Sequence, residues 1–159
     1  FRKIALTAAL LAPISAAAQD LPTAPYLPLD MATTAAQAAL AACAAEKHNV
    51  SVVIVARDGS TKVLLKADNS GPHTASSATG KAFTSAALGR DTADLASFIA
   101  EAPQNAGLRD MDDRLVIQAG GLPIKIGGAL VGGIGVGGAP SGDADAACAR
   151  AGLDAIGAE

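Results

Sequence analysis

The sequence predicts an α+β domain in which a mainly antiparallel sheet is flanked by helices. The clearest sign is a hairpin, because the β-branched run 51–57 is followed by an Asp-Gly turn and a second apolar run, 61–67. The second sign is the element order α-β-β-α-α-β-β-β-α, with short glycine turns between adjacent strands. The third is size, since 159 residues, 50% of them hydrophobic, suffice for one core. We therefore expect a central five-stranded sheet in a single domain.

Capping and turn residues set the expected bounds of the elements. Asp30 can cap the first helix, which an alanine-rich stretch carries to about His48. Thr74 or Ser76 can cap the helix after the hairpin, and Gly89 ends it. Glycine pairs then separate the later strands. The remaining predicted elements are a helix from residue 92, strands over 115–118, 123–126 and 129–136, and a last helix over 143–156.

The first 18 residues have the pattern of a secretory signal peptide. Arg2 and Lys3 precede the apolar run 4–14, and the alanines at 16–18 are small residues of the kind that signal peptidase accepts. The run is shorter than the ~20 apolar residues of a membrane-spanning helix, and a retained anchor is the alternative. We expect residues 19–29, which are rich in proline, to form an extended leader, and 30–159 to form the domain.

Charge and composition exclude several classes. The chain has 12 Lys and Arg against 15 Asp and Glu, and loss of Arg2 and Lys3 with the signal peptide leaves 10 against 15. Such an acidic protein has no basic surface to neutralise phosphates, so we expect no nucleic-acid partner. Two cysteines are too few for a disulfide scaffold, and 17% charged residues beside an apolar half do not fit a disordered chain.

Two nucleotide-binding patterns occur without the context they need. Residues 133–138 read G-x-G-x-x-G, but Pro140 and Gly142 follow where a helix has to open directly on the glycines. The Gly-Lys pair at 80–81 lacks the first glycine of a P-loop and the Ser or Thr that follows its lysine. Small residues at 133–138 are instead typical of a strand that a helix or a neighbouring subunit approaches closely.

Hydrolytic chemistry has weak support, because the chain has two histidines and no G-x-S-x-G element. A Ser-His-Asp set is conceivable from Ser76 or Ser77 with His73 and Asp68. His48, at the end of the first helix, is more typical of a surface residue or of a partner for the helix dipole.

The two cysteines, Cys43 and Cys148, lie in the first and last predicted helices. Export favours a disulfide between them, and two free buried thiols are the alternative. Neither CxxC nor HxxxH spacing occurs, which argues against a zinc site. The absence of C-x-x-C-H excludes covalent c-type haem attachment.

His73 is the most informative single residue. It follows Gly-Pro and precedes a predicted helix whose first turn carries Thr74, Ser76 and Ser77. An imidazole beside a helix N-terminus suits a ligand with both a metal and carboxylates, because the ring can coordinate iron while amide hydrogens and Lys81 attract anions. The alternative is a solvent-exposed loop histidine.

Several segments, in order along residues 30–156, resemble the GlcG/HbpS family of haem-binding, sometimes haem-degrading, proteins. They are VSVVIVARDG, KADNSGPHT, the helix with S-x-x-x-x-K-A-F-T-S-A over 76–86, GGLPI, the glycine-rich run 127–139 and the closing A-C-A-x-A-G-L. The resemblance implies a profilin-like fold, homo-oligomers and non-covalent haem. It makes His73 the first expected iron ligand and His48 the second. The remaining haem-binding residues expected are Thr74, Ser76, Ser77 and Lys81.

We therefore expect an exported, periplasmic or secreted, haem-binding protein that acts in haem scavenging or redox sensing, the latter with a membrane sensor as partner. One alternative is a haem-degrading or peroxidase-like enzyme. The other is a ligand-free interaction module, in which the glycine-rich strand surface builds an oligomer and presents it to a partner protein.

Overall fold

The structure, a computed structural model, describes residues 20–159. The expected signal peptide and the first residue of the leader lie outside the described residues. The leader has no helix or strand up to Pro28, where its extended backbone turns into the first helix. Leu27, near its end, is buried in the main core at 1% exposure. That burial fixes the end of the leader to the domain.

The sheet is antiparallel throughout and has the strand order β2-β1-β4-β3. Both hairpins expected from turn residues are present, with Gly59 in the first and Gly127 and Gly128 in the second at positive φ. The elements are α1 (Leu29–Ala45), β1 (Ser51–Ala56), β2 (Thr61–Lys66), α2 (Thr74–Leu88), α3 (Thr92–Glu101), a 3-10 helix (Pro103–Asp110), β3 (Gly121–Ile126), β4 (Ala129–Gly137) and α4 (Gly142–Asp154).

The expected fifth strand, over 115–118, is wrong: the described residues form a four-stranded sheet. The Val116 amide donates a hydrogen bond to the Thr84 hydroxyl of α2 (2.8 Å) rather than to another strand. The Ile117 carbonyl likewise accepts a hydrogen bond from the Arg109 guanidinium (3.2 Å). Side chains thus satisfy this backbone, and a β-prone sequence lies as an irregular segment across α2.

Helices α1 and α4 cover one face of the sheet and enclose the main core. Their contact surface is built largely from alanine, so the two helices approach closely. Cys43 of α1 and Cys148 of α4 form a disulfide, with the sulfurs 2.10 Å apart and the Cα atoms 5.4 Å apart. The bridge joins positions 105 residues apart in sequence and fixes the first helix to the last.

Helix α2 covers the other face, and glycines make that contact possible. A Cβ on Gly135 would overlap the Ala78 carbonyl oxygen and the Ala82 amide nitrogen of α2. Gly133 and Gly137 meet the same helix one turn further along in each direction. Since β4 is a central strand covered by α2, its glycines serve close packing inside the chain. This corrects the idea that the glycine-rich strand surface is free to build an oligomer.

Replacement of Gly135 by alanine should destabilise the fold by about 1–3 kcal/mol or more, because the added methyl would push the backbone of β4 away from that of α2. Urea unfolding followed by circular dichroism measures this. Gly107→Ala is the matched control, since a Cβ there meets nothing within 4 Å, and its effect should stay within about 0.5 kcal/mol. Equal stabilities of the two variants would contradict the close contact.

Candidate functional site

Helix α2 presents different side chains to three sides of the molecule. Its alanines at 78, 82 and 86 face the sheet. His73, Ser77 and Lys81 follow one another at intervals of four residues and line a cavity of about 300 Å³. Ser76 belongs to a different side and lines a larger cavity of about 490 Å³. Because successive residues on a helix are rotated by about 100°, the adjacent Ser76 and Ser77 serve separate sites.

His73 lies at the start of α2, where its backbone directly precedes the first helical residue. Its side chain is exposed, and the ring lies over Gly71, where a Cβ would come within 2.8 Å of Cε1. Neither ring nitrogen has a hydrogen-bond partner among residues 20–159. The ring is therefore available to an external ligand, as expected for an iron-binding residue and equally for a loop histidine.

The cavity beside His73 is polar and is closed by the segment between β4 and α4. Gln118 and residues 138–142 form its other walls, and Asp145 lies at its base. Ser141 caps α4 by accepting a hydrogen bond from the Ala144 amide (3.1 Å). This capped first turn of α4 forms one wall of the cavity.

Lys81 and Asp145 form a buried ion pair at the base of this cavity. Nζ of Lys81 donates to Oδ2 of Asp145 (2.8 Å) and to the Val136 carbonyl (3.1 Å). The other carboxylate oxygen, Oδ1, accepts a hydrogen bond from the Ala139 amide (2.9 Å). Lys81 is 2% exposed. The expectation of a free lysine that attracts anions is thus corrected, because its charge is already neutralised by Asp145.

Thr74 is also buried and has a structural role. Its hydroxyl bonds to the Ser51 hydroxyl (2.8 Å) and donates to the Gly71 carbonyl (2.9 Å). In the same loop, Nζ of Lys66 donates hydrogen bonds to the carbonyls of Ser70 (2.8 Å) and Gly71 (2.9 Å). These bonds hold the loop that carries His73, so Thr74 positions the histidine and is not itself open to a ligand.

The larger cavity lies on the opposite flank of α2, between the β1–β2 turn and residues 113–116. The Arg114 guanidinium stacks on the Phe83 ring, 4.0 Å from its centroid, and bonds through Nε and Nη2 to Asp112 (2.9 and 2.7 Å). Hydrogen bonds from Arg114 lower the pKa of Asp112 to about 2. Besides Ser76 and Gly80, Thr61 and Thr79 also line this cavity. Sequence reasoning missed this group, because no motif links Phe83 to a residue 31 positions later.

His48 and His73 do not share a site. His48 lines a third cavity, of about 330 Å³, together with Ala42, Glu46, Ala144, Ala147 and Cys148. The Ser-His-Asp set is not assembled either: no hydrogen bond joins His73 to Asp68 or to a serine hydroxyl within residues 20–159, and Ser76 lines another cavity.

In the part of the chain that the structure describes, no group of three or more His, Cys, Asp or Glu side chains is placed to hold a metal ion. Also among residues 20–159, no helix has both the length and the apolar character needed to cross a membrane.

A four-stranded antiparallel sheet with a helix pair on one face and α2 on the other defines a small α+β protein with cavities on both flanks of α2. Within that class, the family model for haem degrading protein HbpS-like matches residues 27–154, and the chain belongs to this family. A comparison with curated proteins gave no match.

Solved structures agree with this assignment. HbpS of Streptomyces reticuli, as a double mutant, is 42% identical, with 91% of this chain and 97% of that chain covered and a TM-score of 0.80. A Klebsiella pneumoniae protein, ORFY, shares the fold at 22% identity (89% and 98% covered, TM-score 0.81). The haem complex of PduOC shares it at 24% identity (85% and 98% covered, TM-score 0.78).

The Lys81–Asp145 pair gives a prediction about stability. Lys81→Met or Asp145→Asn leaves the other charge buried without its partner, which should destabilise the protein by about 3–5 kcal/mol. The double variant removes both charges, so its loss should be clearly smaller than the sum of the single losses. Urea unfolding of all four proteins at one pH measures this coupling, and strictly additive losses would contradict a direct buried pair.

Proposed function

We propose that this protein binds haem non-covalently and that His73 is the protein ligand of the iron. The observation that carries the proposal is the His73 imidazole, which is exposed at a polar cavity and has no hydrogen-bond partner among residues 20–159. Imidazole is a common protein ligand of haem iron, and the bound iron would supply redox chemistry.

The surroundings of His73 fit the carboxylates of haem. Helix α2 has no acidic residue in its first turn and no side-chain cap. The Thr74 and Ser77 amides already donate to the carbonyls of Gly71 and His73, which leaves the amide hydrogens of Ala75 and Ser76 open to an anion. Ser77 adds a hydroxyl at the same cavity. Lys81 contributes indirectly, because its ion pair with Asp145 holds the cavity wall. Ser76 and His48 line other cavities and have no part in this proposed site.

Similar proteins support haem as the ligand. The family is described as haem-degrading, and the PduOC structure is a complex with haem. The chain covers nearly the whole length of both HbpS and PduOC. We propose haem for this chain as well, because it shares the fold of those proteins and because the His73 imidazole is available to bind iron.

We also propose export to the periplasm or beyond. The signal-like pattern of residues 1–18 supports this, and the Cys43–Cys148 disulfide suits an oxidising compartment. A role in haem scavenging or redox sensing, a homo-oligomeric state and a membrane sensor as partner rest on the family resemblance.

Hemin titration of the purified protein tests the proposal. The parent should give a Soret shift, and His73→Ala should weaken binding at least about tenfold, or ~1.4 kcal/mol, because the iron loses its protein ligand. His48→Ala is the matched control and should bind like the parent. No Soret shift in the parent, or the same spectrum and affinity in His73→Ala, would overturn the assignment.

Haem degradation is a second candidate, favoured by the description of the family. It predicts that peroxide or a reductant removes the Soret band of the protein-bound haem and yields one defined product. Absorbance spectroscopy follows the Soret band, and mass spectrometry identifies the product. Free hemin and hemin with His73→Ala are the controls, and bleaching that matches free hemin would reject catalysis.

A further inference from the structure

The two halves of the Cys43–Cys148 disulfide have different surroundings. Cys43 is fully buried in the main core, at 0% exposure. Cys148 retains 4% exposure and lines the cavity of about 330 Å³ that contains His48. Cys148 is therefore the half of the disulfide that borders a cavity.

The walls of this cavity suit a small uncharged or weakly polar molecule. Three of the six lining residues are alanines, Ala42, Ala144 and Ala147, and Glu46 and His48 supply the polar groups. The His48 amide donates to the Cys43 carbonyl (2.9 Å), which ties this histidine to the last turns of α1 beside the disulfide. Thiol exchange depends on access to one sulfur as well as on the attacking thiolate, so such an opening decides which sulfur reacts.

We propose that the Cys43–Cys148 disulfide of the folded protein exchanges with small-molecule thiols at Cys148, through the cavity that His48 lines. In this step a small thiol loses its proton and its sulfur bonds to Sγ of Cys148. The Cys43–Cys148 bond breaks, its electron pair leaves on Sγ of Cys43, and that thiolate takes up a proton. The products are a mixed disulfide at Cys148 and a buried thiol at Cys43.

Exchange at this point would act on the candidate haem site through α4. Asp145 lies three residues before Cys148 on the same helix and holds Lys81 at the base of the His73 cavity. The disulfide fixes this helix to α1, and the ion pair fixes it to α2. Cleavage of the disulfide would leave the cavity wall held by the Lys81–Asp145 ion pair.

The test treats the folded protein with 2-mercaptoethanol, stops the reaction with acid and maps the adduct by mass spectrometry. The adduct should lie on Cys148, and alkylation after exchange should label Cys43. Ala147→Phe fills the mouth of the cavity from an exposed position of α4 and should slow exchange about tenfold through loss of access. Ala41→Phe, at an exposed position of α1 outside the cavity, should exchange at the parent rate.

Exchange through global unfolding is distinguished by its urea dependence. If the disulfide reacted only in the unfolded chain, low urea would accelerate exchange in proportion to the unfolding equilibrium. Any destabilisation by Ala147→Phe would then speed the reaction. An adduct on Cys43, an unchanged rate in Ala147→Phe or that urea dependence would each overturn the proposal.

Discussion

The structure depends on the direct contact between the backbone of α2 and the backbone of β4. Glycines at 133, 135 and 137 allow a helix to lie against a central strand without intervening side chains. The cavities that flank α2 follow from this, since the helix lies so deep on the sheet that its two outer sides become walls. One side carries His73 and Ser77, and the other carries Ser76 and Phe83.

Polar atoms connect this contact to the rest of the molecule. Lys81 of α2 reaches the carbonyl of Val136 in β4 and the carboxylate of Asp145 in α4, which in turn accepts the Ala139 amide. Three elements and one loop thus meet at a single ion pair. Such a pair is costly to bury and tolerates no partial loss, so it specifies one arrangement of the walls around His73.

Much of the fold follows from local sequence, whereas the site depends on distant pairs. The β1–β2 hairpin and the end of α2 at Gly89 were predictable because turn and capping residues act locally. The cap expected from Thr74 or Ser76 was wrong, since His73 precedes the helix and no side chain caps it. The strand expected at 115–118 failed because the Thr84 hydroxyl, 32 residues away, binds the Val116 amide. His73 was identifiable from its own neighbours, but the neutralisation of Lys81 was not, since Asp145 lies 64 residues later. Helical periodicity alone could have separated Ser76 from Ser77.

The two edges of the sheet differ in their capacity to accept another strand. Pro123, in the outer strand β3, has no amide hydrogen to offer, and the backbone of Lys125 already pairs with that of Glu159 at both groups. At Lys125 that edge is therefore already occupied by the backbone of Glu159. The β2 edge carries Lys62 and Lys66, whose charges oppose the approach of a second such edge. Uncontrolled growth of the sheet from copy to copy is thereby disfavoured at both ends, by different means.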